Sequence, residues 1–122
     1  GETKAKAAQE ALRAAREQAT TPEAQKALEE LEKVLKTASP EQWRQAAEKI
    51  FEAFREASNG NTEKAKKLLE EAARTAGASP EIIKKLASAL ERLAEEGAAK
   101  EAARQAEEVR KRGSLEHHHH HH

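Results

Sequence analysis

The chain contains no cysteine, no methionine, no tyrosine and no aspartate in its 122 residues. Without cysteine there is no disulfide framework, no thiolate nucleophile and no thiolate metal site. Histidine occurs solely as the run His117–His122. None is therefore left upstream for a general base, or for the Glu-x-x-His pairs of a di-metal carboxylate bundle. The aromatic residues are Trp43, Phe51 and Phe54. They sit in one short stretch and provide no series of stacking platforms for nucleic acid. No apolar run approaches the roughly 18 residues that would suggest a membrane span. No leader segment is expected, because no charged-then-apolar stretch opens the chain.

Gly113-Ser114-Leu115-Glu116 followed by His117–His122 reads as a linker and purification tag, which is set aside from the fold. Residues 1–112 are expected to form one domain, long enough for a single core that buries roughly two thirds of the unfolded surface. With Glu116 set aside, 22 Lys and Arg face 21 Glu, a net charge of about +1. Such a chain has no long-range field to gather nucleic acid or an anionic membrane. It is heavily charged, as disordered chains are, but its apolar residues are periodic, which disorder does not require.

Helix starts are legible. Thr21-Pro22-Glu23, Ser39-Pro40-Glu41 and Ser79-Pro80-Glu81 each combine a hydroxyl N-cap, a proline at the first helical position and a first-turn glutamate. Ser39 and Gln42 have capping-box spacing. Asn61-Thr62-Glu63 is a fourth start without the proline. Gly60, Gly77 and Gly97 occupy positions where a left-handed residue ends a helix. Six segments follow: about 3–19, 22–38, 40–58, 62–76, 80–96 and 98–112. Ala98 offers no capping side chain, so a continuous helix kinked at Gly97 is the alternative there.

Every segment carries an apolar stripe at helical spacing. Segment two has Ala24, Leu28, Leu31 and Leu35. Segment three has Trp43, Ala47, Ile50, Phe51 and Phe54. Segment four has Ala65, Leu68, Leu69, Ala72 and Ala76. Segment five has Ile82, Ile83, Leu86, Leu90 and Leu93. The bulk of segments three and five places them at the centre. Segment one (Ala5, Ala8, Leu12, Ala15, Ala19) and segment six (Ala99, Ala102, Ala103, Ala106, Val109) each have one large residue. They bury little area, so they are expected to lose amide protection first. On the polar faces, Glu29–Lys33, Glu32–Lys36, Glu63–Lys67, Glu70–Arg74, Glu81–Lys85, Glu107–Lys111 and Glu108–Arg112 are spaced as i,i+4 ion pairs, each contributing about 0.2–0.5 kcal/mol.

The starts at 21, 39, 61 and 79 fall at nearly regular intervals, which invites a reading as helix pairs of about 40 residues. The helix sequences do not repeat, however. Trp43, Phe51 and Phe54 have no counterparts one pair away. The expected fold is all-α: a single compact domain of six short helices joined by short loops, packed irregularly rather than as a solenoid.

The polar residues yield no catalytic, cofactor-binding or metal-binding candidate. Ser39 and Ser79 read as caps, Ser58 closes segment three, and Ser88 lies mid-helix without a base to activate it. The lysines fall on wet faces, whereas a Schiff-base lysine needs desolvation. No glycine pattern matches a phosphate-binding fingerprint. Lys64-Lys66-Lys67, Lys84-Lys85 and Arg110-Lys111-Arg112 are interleaved or flanked with glutamate and read as charge balance rather than a nucleic-acid surface. Trp43 reads as a core or boundary residue. An apolar groove that accepts an amphipathic helix is the one binding alternative.

These features together resemble de novo designed all-α proteins built from short helix–loop–helix units. The Ser/Thr-Pro-Glu starts, the glycine stops, the Ala/Glu/Lys/Arg/Leu composition, the use of Glu at every acidic position and the terminal tag all have that style. The resemblance implies a stable monomer made to specify a fold: not an enzyme, without cofactor, native partner or native compartment, and expressed recombinantly in cytoplasm. It is one of style over the whole chain, with no functional motif shared.

Overall fold

The computed structural model describes the backbone of residues 2–119 and the side chains of residues 3–113. Six helices succeed one another: α1 (Glu2–Gln18), α2 (Pro22–Thr37), α3 (Pro40–Ser58), α4 (Thr62–Ala76), α5 (Pro80–Glu95) and α6 (Ala98–His119). There is no strand among the described residues. Five starts fall on the residue expected from sequence, and the first five ends lie within one residue of it.

Local chemistry accounts for this agreement. Thr21 accepts a hydrogen bond from the Ala24 N–H at 3.2 Å, and Ser79 accepts one from Ile82 at 3.4 Å. Ser39 and Gln42 form the reciprocal box, Gln42 N–H to Ser39 Oγ at 3.2 Å and Ser39 N–H to Gln42 Oε1 at 3.0 Å. Asn61 differs. It precedes α4 but its side chain caps nothing, because Asn61 Nδ2 donates to Glu56 Oε1 at 2.7 Å instead. At the other ends, Gly60 and Gly77 take φ of +89° and +94°. The residues after them close the turn, with Asn61 N–H on Glu56 O and Ala78 N–H on Ala73 O.

Gly97, at φ +78°, separates α5 from α6, so the helix breaks there rather than kinking. At its far end α6 departs from expectation. It continues past Arg112 to His119, and only 120–122 of the segment read as linker and tag lie outside the described residues. Nothing in 113–119 forces a stop. Gly113 stays helical and lies so close to α1 that a Cβ there would meet Thr3 Cγ2 at 2.7 Å.

Packing separates this fold from a solenoid of helix pairs. α3 and α4 form an antiparallel hairpin, but α1 packs chiefly on α6 and α2 chiefly on α5. α3 lies against α1, α4 and α6, and α4 also touches α5. The first and last helices thus close the structure into one compact domain. Arg13 Nη2 donates to Gln105 Oε1 at 3.2 Å across the α1–α6 seam, which with the Thr3–Gly113 approach makes that pair antiparallel.

Two expectations about position are corrected. α3 is central, but α5 barely meets it and sits instead between α2 and α4, with Ile82 and Ile83 half-buried. α1, expected to be thin, is enclosed on two faces. Ala7, Ala11 and Ala14 are buried as well as Ala8, Leu12 and Ala15, because α6, α3 and α2 approach from different sides. A single-stripe reading misses a helix that is apolar on more than one side. Among the described residues, alanine makes up 22 of the 33 that are buried and apolar, and those that α6 buries are all alanine. The core therefore depends on close backbone approach as much as on bulk.

The charged faces also differ from expectation. None of the seven i,i+4 pairs named above is formed, and in five a competing partner takes one member. Glu32 meets Arg16, Glu63 meets Lys66, Lys85 meets Glu30, Glu107 meets Arg110 and Glu108 meets Arg104. Helical side chains lean toward the N-terminus, so Arg or Lys three residues after Glu reaches it readily.

Two outcomes test this account. Ala102→Leu adds apolar surface yet should destabilise by about 1–3 kcal/mol, since the seam has no room for it; a raised denaturation midpoint would contradict the close-approach account. Ser39→Ala should cost about 1 kcal/mol, and Asn61→Ala clearly less, read as paired shifts in urea midpoint.

Candidate functional site

Two surface grooves among the described residues are concave enough to be weighed as sites. The larger, about 970 Å³, runs along the antiparallel α2–α5 seam. Its walls carry Lys26, Lys84, Lys85 and Arg92, with Glu23 and Glu81 as carboxylates and Ser88 on one side. The Ser88 side chain is exposed, and no imidazole or carboxylate is hydrogen-bonded to it among the described residues. Lys84 and Lys85 are exposed too, and Lys85 Nζ stands 4.0 Å from Glu30 across the seam. This groove brings together two of the residue types weighed from sequence, serine and lysine, without aligning them for nucleophilic attack.

The smaller groove, about 540 Å³, lies where α1, α2 and α3 meet. Leu12, Leu35 and Pro40 line it with Trp43, which is half-buried and rests on the core edge. That is the boundary position expected for Trp43. Arg13, Arg16, Lys36 and Glu32 complete the rim. Glu32 Oε1 has no exposed surface and no hydrogen bond, with Arg16 Nε 3.5 Å away. The contact is therefore an ion pair without a hydrogen bond. Its sequence signal was weak, since Glu32 falls between Leu31 and Leu35 but reads as one more glutamate of a polar face.

Elsewhere the electrostatics hold helices together. Lys66 bridges α4 to α5, with Nζ 2.8 Å from Glu91 and 3.2 Å from Glu63; these bonds raise its pKa, and the same bond lowers that of Glu91. Asn61 and then Lys64 hold the Glu56 carboxyl below its usual range. Arg13, gripping Glu10, does the same to that carboxyl. Glu101 is shifted furthest among the carboxylates described, to about 2, by the Arg104 guanidinium and then by the Gln105 amide. Its oxygens lie 2.6 Å from Arg104 Nη2 and 2.8 Å from Gln105 Nε2. All three basic clusters named from sequence are tied to carboxylates in this way: Lys64 to Glu56, Lys66 to Glu91, Lys85 to Glu30 and Arg110 to Glu107. The arginine hubs Arg13 and Arg104 were not foreseen, although their Glu-x-x-Arg spacing was available as a signal.

Three serine hydroxyls are engaged locally. Ser39 and Ser79 cap helices, and Ser58 Oγ donates to Arg55 O at 2.7 Å. Among the described residues no group of three or more acidic or histidine side chains is arranged to hold a metal ion. No described helix is long and apolar enough to cross a membrane. Compared with known proteins, the chain matches no family model and no curated protein.

The shift at Glu101 gives a pH prediction. Its folded pKa lies below the ordinary 4.5, so its stabilising contribution is present above that value and is lost as pH falls toward about 2. Glu101→Gln should be less stable than the parent at pH 7, and the difference should vanish near pH 2. A difference in denaturation midpoint that stays constant over that window would contradict the assignment.

Proposed function

We propose that this chain is a designed helical protein whose purpose is its own fold: a self-contained monomer with no substrate, cofactor or native partner. The observation that carries this reading is the composition of its interior. The buried residues are all apolar, with no buried polar or charged residue among those described. Binding and catalytic sites take the opposite form, with a few polar groups set inside an apolar pocket. The hydroxyls of Thr21, Ser39 and Ser79 are spent on helix caps, as in sequences written for foldability. The partly buried Val34, Trp43, Leu68, Ile82, Ile83 and Val109 all pack against the core, and no described Leu, Ile, Val, Phe or Trp belongs to the exposed class. That distribution favours a finished surface over a face awaiting an amphipathic helix.

Unfolding at several protein concentrations tests the reading. The expected result is one cooperative transition, with Trp43 fluorescence and far-UV circular dichroism coinciding and a midpoint independent of concentration at micromolar levels. A midpoint that rises with concentration would show that the fold is completed by a partner. Saturable quenching or a blue shift of Trp43 by an added amphipathic peptide would favour the groove-binding alternative.

A further inference from the structure

α6 is held chiefly by helices distant from it in sequence. It rests on α1 and α3, and touches its chain neighbour α5 least of the three. Its buried residues, among those described, are alanines: Ala98, Ala99, Ala102, Ala103 and Ala106. The connector from α5 consists of Glu96 and Gly97. Glu96 keeps near-helical angles, φ −88° and ψ −2°, so the change of direction falls on Gly97 at φ +78°.

Gly97 is free to leave that angle, because glycine enters the right-handed region about as readily as the left-handed one. Its N–H reaches Ala94 O at 3.3 Å, against 3.1 Å for the equivalent bonds at Gly60 and Gly77. It also has no side chain with which to cap α6, whose first N–H groups are the orphans of any helix start. If Gly97 turns right-handed, those groups gain carbonyl partners one turn back in α5. The two helices then run as one, and α6 points away from its own α1 and α3. The alanine face left open on α1 and α3 fits an α6, and the nearest available one belongs to another copy.

We propose that the chain has a second assembly state, a dimer in which two copies exchange α6 across a helix that runs unbroken through Gly97. Each α6 docks on the other copy's first and third helices, so every contact of the closed form is kept except the turn itself. Exchange of an identical element is a low-cost route to a dimer, and short hinge loops promote it. The closed form dominates in dilute solution, because its own α6 is always at high local concentration.

Gly97→Ala tests the hinge. A Cβ there meets nothing within 4 Å, so the substitution acts on φ alone. Thr3→Cys with Gly113→Cys supplies the readout, since a Cβ at 113 lies 3.5 Å from Thr3 Cβ and the chain has no other cysteine. In the closed form that disulfide lies within one chain; in the exchanged form it joins two. Gly97→Ala in this background should raise the interchain-linked dimer about tenfold or more, seen by light scattering and non-reducing electrophoresis. Gly97→Asn, which tolerates the left-handed region, should stay with the parent. A folded Gly97→Ala chain that remains monomeric would overturn the proposal. So would a dimer linked only within chains, which would instead count against the monomer reading above. If Gly97→Ala does not fold, the cysteine pair is refolded from denaturant at rising concentration in the Gly97 chain. A rising interchain fraction supports exchange, and intrachain links at every concentration overturn it.

Discussion

The antiparallel seam between α1 and α6 is the contact on which the closed form depends. It joins the two described ends of the chain and turns a row of helices into a compact domain. Its material is small: Ala7, Ala11 and Ala14 are buried on α1, and Ala99, Ala102, Ala103 and Ala106 on α6. Each contributes little area, so the seam works through backbone approach, where dispersion contacts are many but individually small. α3 gains its central place from the same closure, because α1 and α6 both rest on it. The large residues lie elsewhere, at Leu28 and Leu31 on α2, Ile50 and Phe54 on α3, and Leu86, Leu90 and Leu93 on α5.

Six amphipathic helices of similar length could pair in many ways, and apolar stripes alone discriminate poorly among them. The ion pairs that cross seams add discrimination. Lys4–Glu48 joins α1 to α3, Arg16–Glu32 joins α1 to α2, Lys49–Glu71 joins α3 to α4, Lys66–Glu91 joins α4 to α5, and Lys85–Glu30 joins α5 to α2. Exposed pairs contribute little stability. Their value lies in specificity: a helix docked in the wrong place or reversed would set like charges together or leave these groups without partners. A nearly neutral chain can therefore carry substantial pairing information in the placement of its charges.

What was legible in the sequence was local. Thr21-Pro22, Ser39-Pro40 and Ser79-Pro80 act within four residues, so each tripeptide fixes a helix start whatever the rest of the molecule does. Glycine stops act over a similar range. The partner of each stripe was not legible, because Leu86 and Ile50 are equally content against any apolar surface. The centrality of α5 and the thinness of α1 were misread for that reason: bulk indicates how much a helix can bury, while position decides how many sides it is buried from. The i,i+4 pairs failed likewise. Counting one spacing within one helix ignores Lys66, Arg104 and Arg110 at other spacings on the same helix, and Arg16 and Glu30 on neighbouring helices, which compete for the same groups. Asn61 shows the limit even for local signals, since Glu56 draws its side chain away from the cap.

The interior and the surface thus do separate work. The core sets volume, and because so much of it is alanine, it sets volume tightly: a larger side chain has nowhere to go. The caps set where helices begin, and the charges bias which of them meet. Glu32 alone blurs the division. Its Oε1 is enclosed without a hydrogen bond at the junction of α1, α2 and α3, beside the chain's single tryptophan. An enclosed carboxylate oxygen facing a cation 3.5 Å away gains attraction without full satisfaction. The Arg16–Glu32 pair thus brings opposite charges together beside Leu12, Leu35 and Trp43, and puts a carboxylate oxygen at the edge of an otherwise apolar interior.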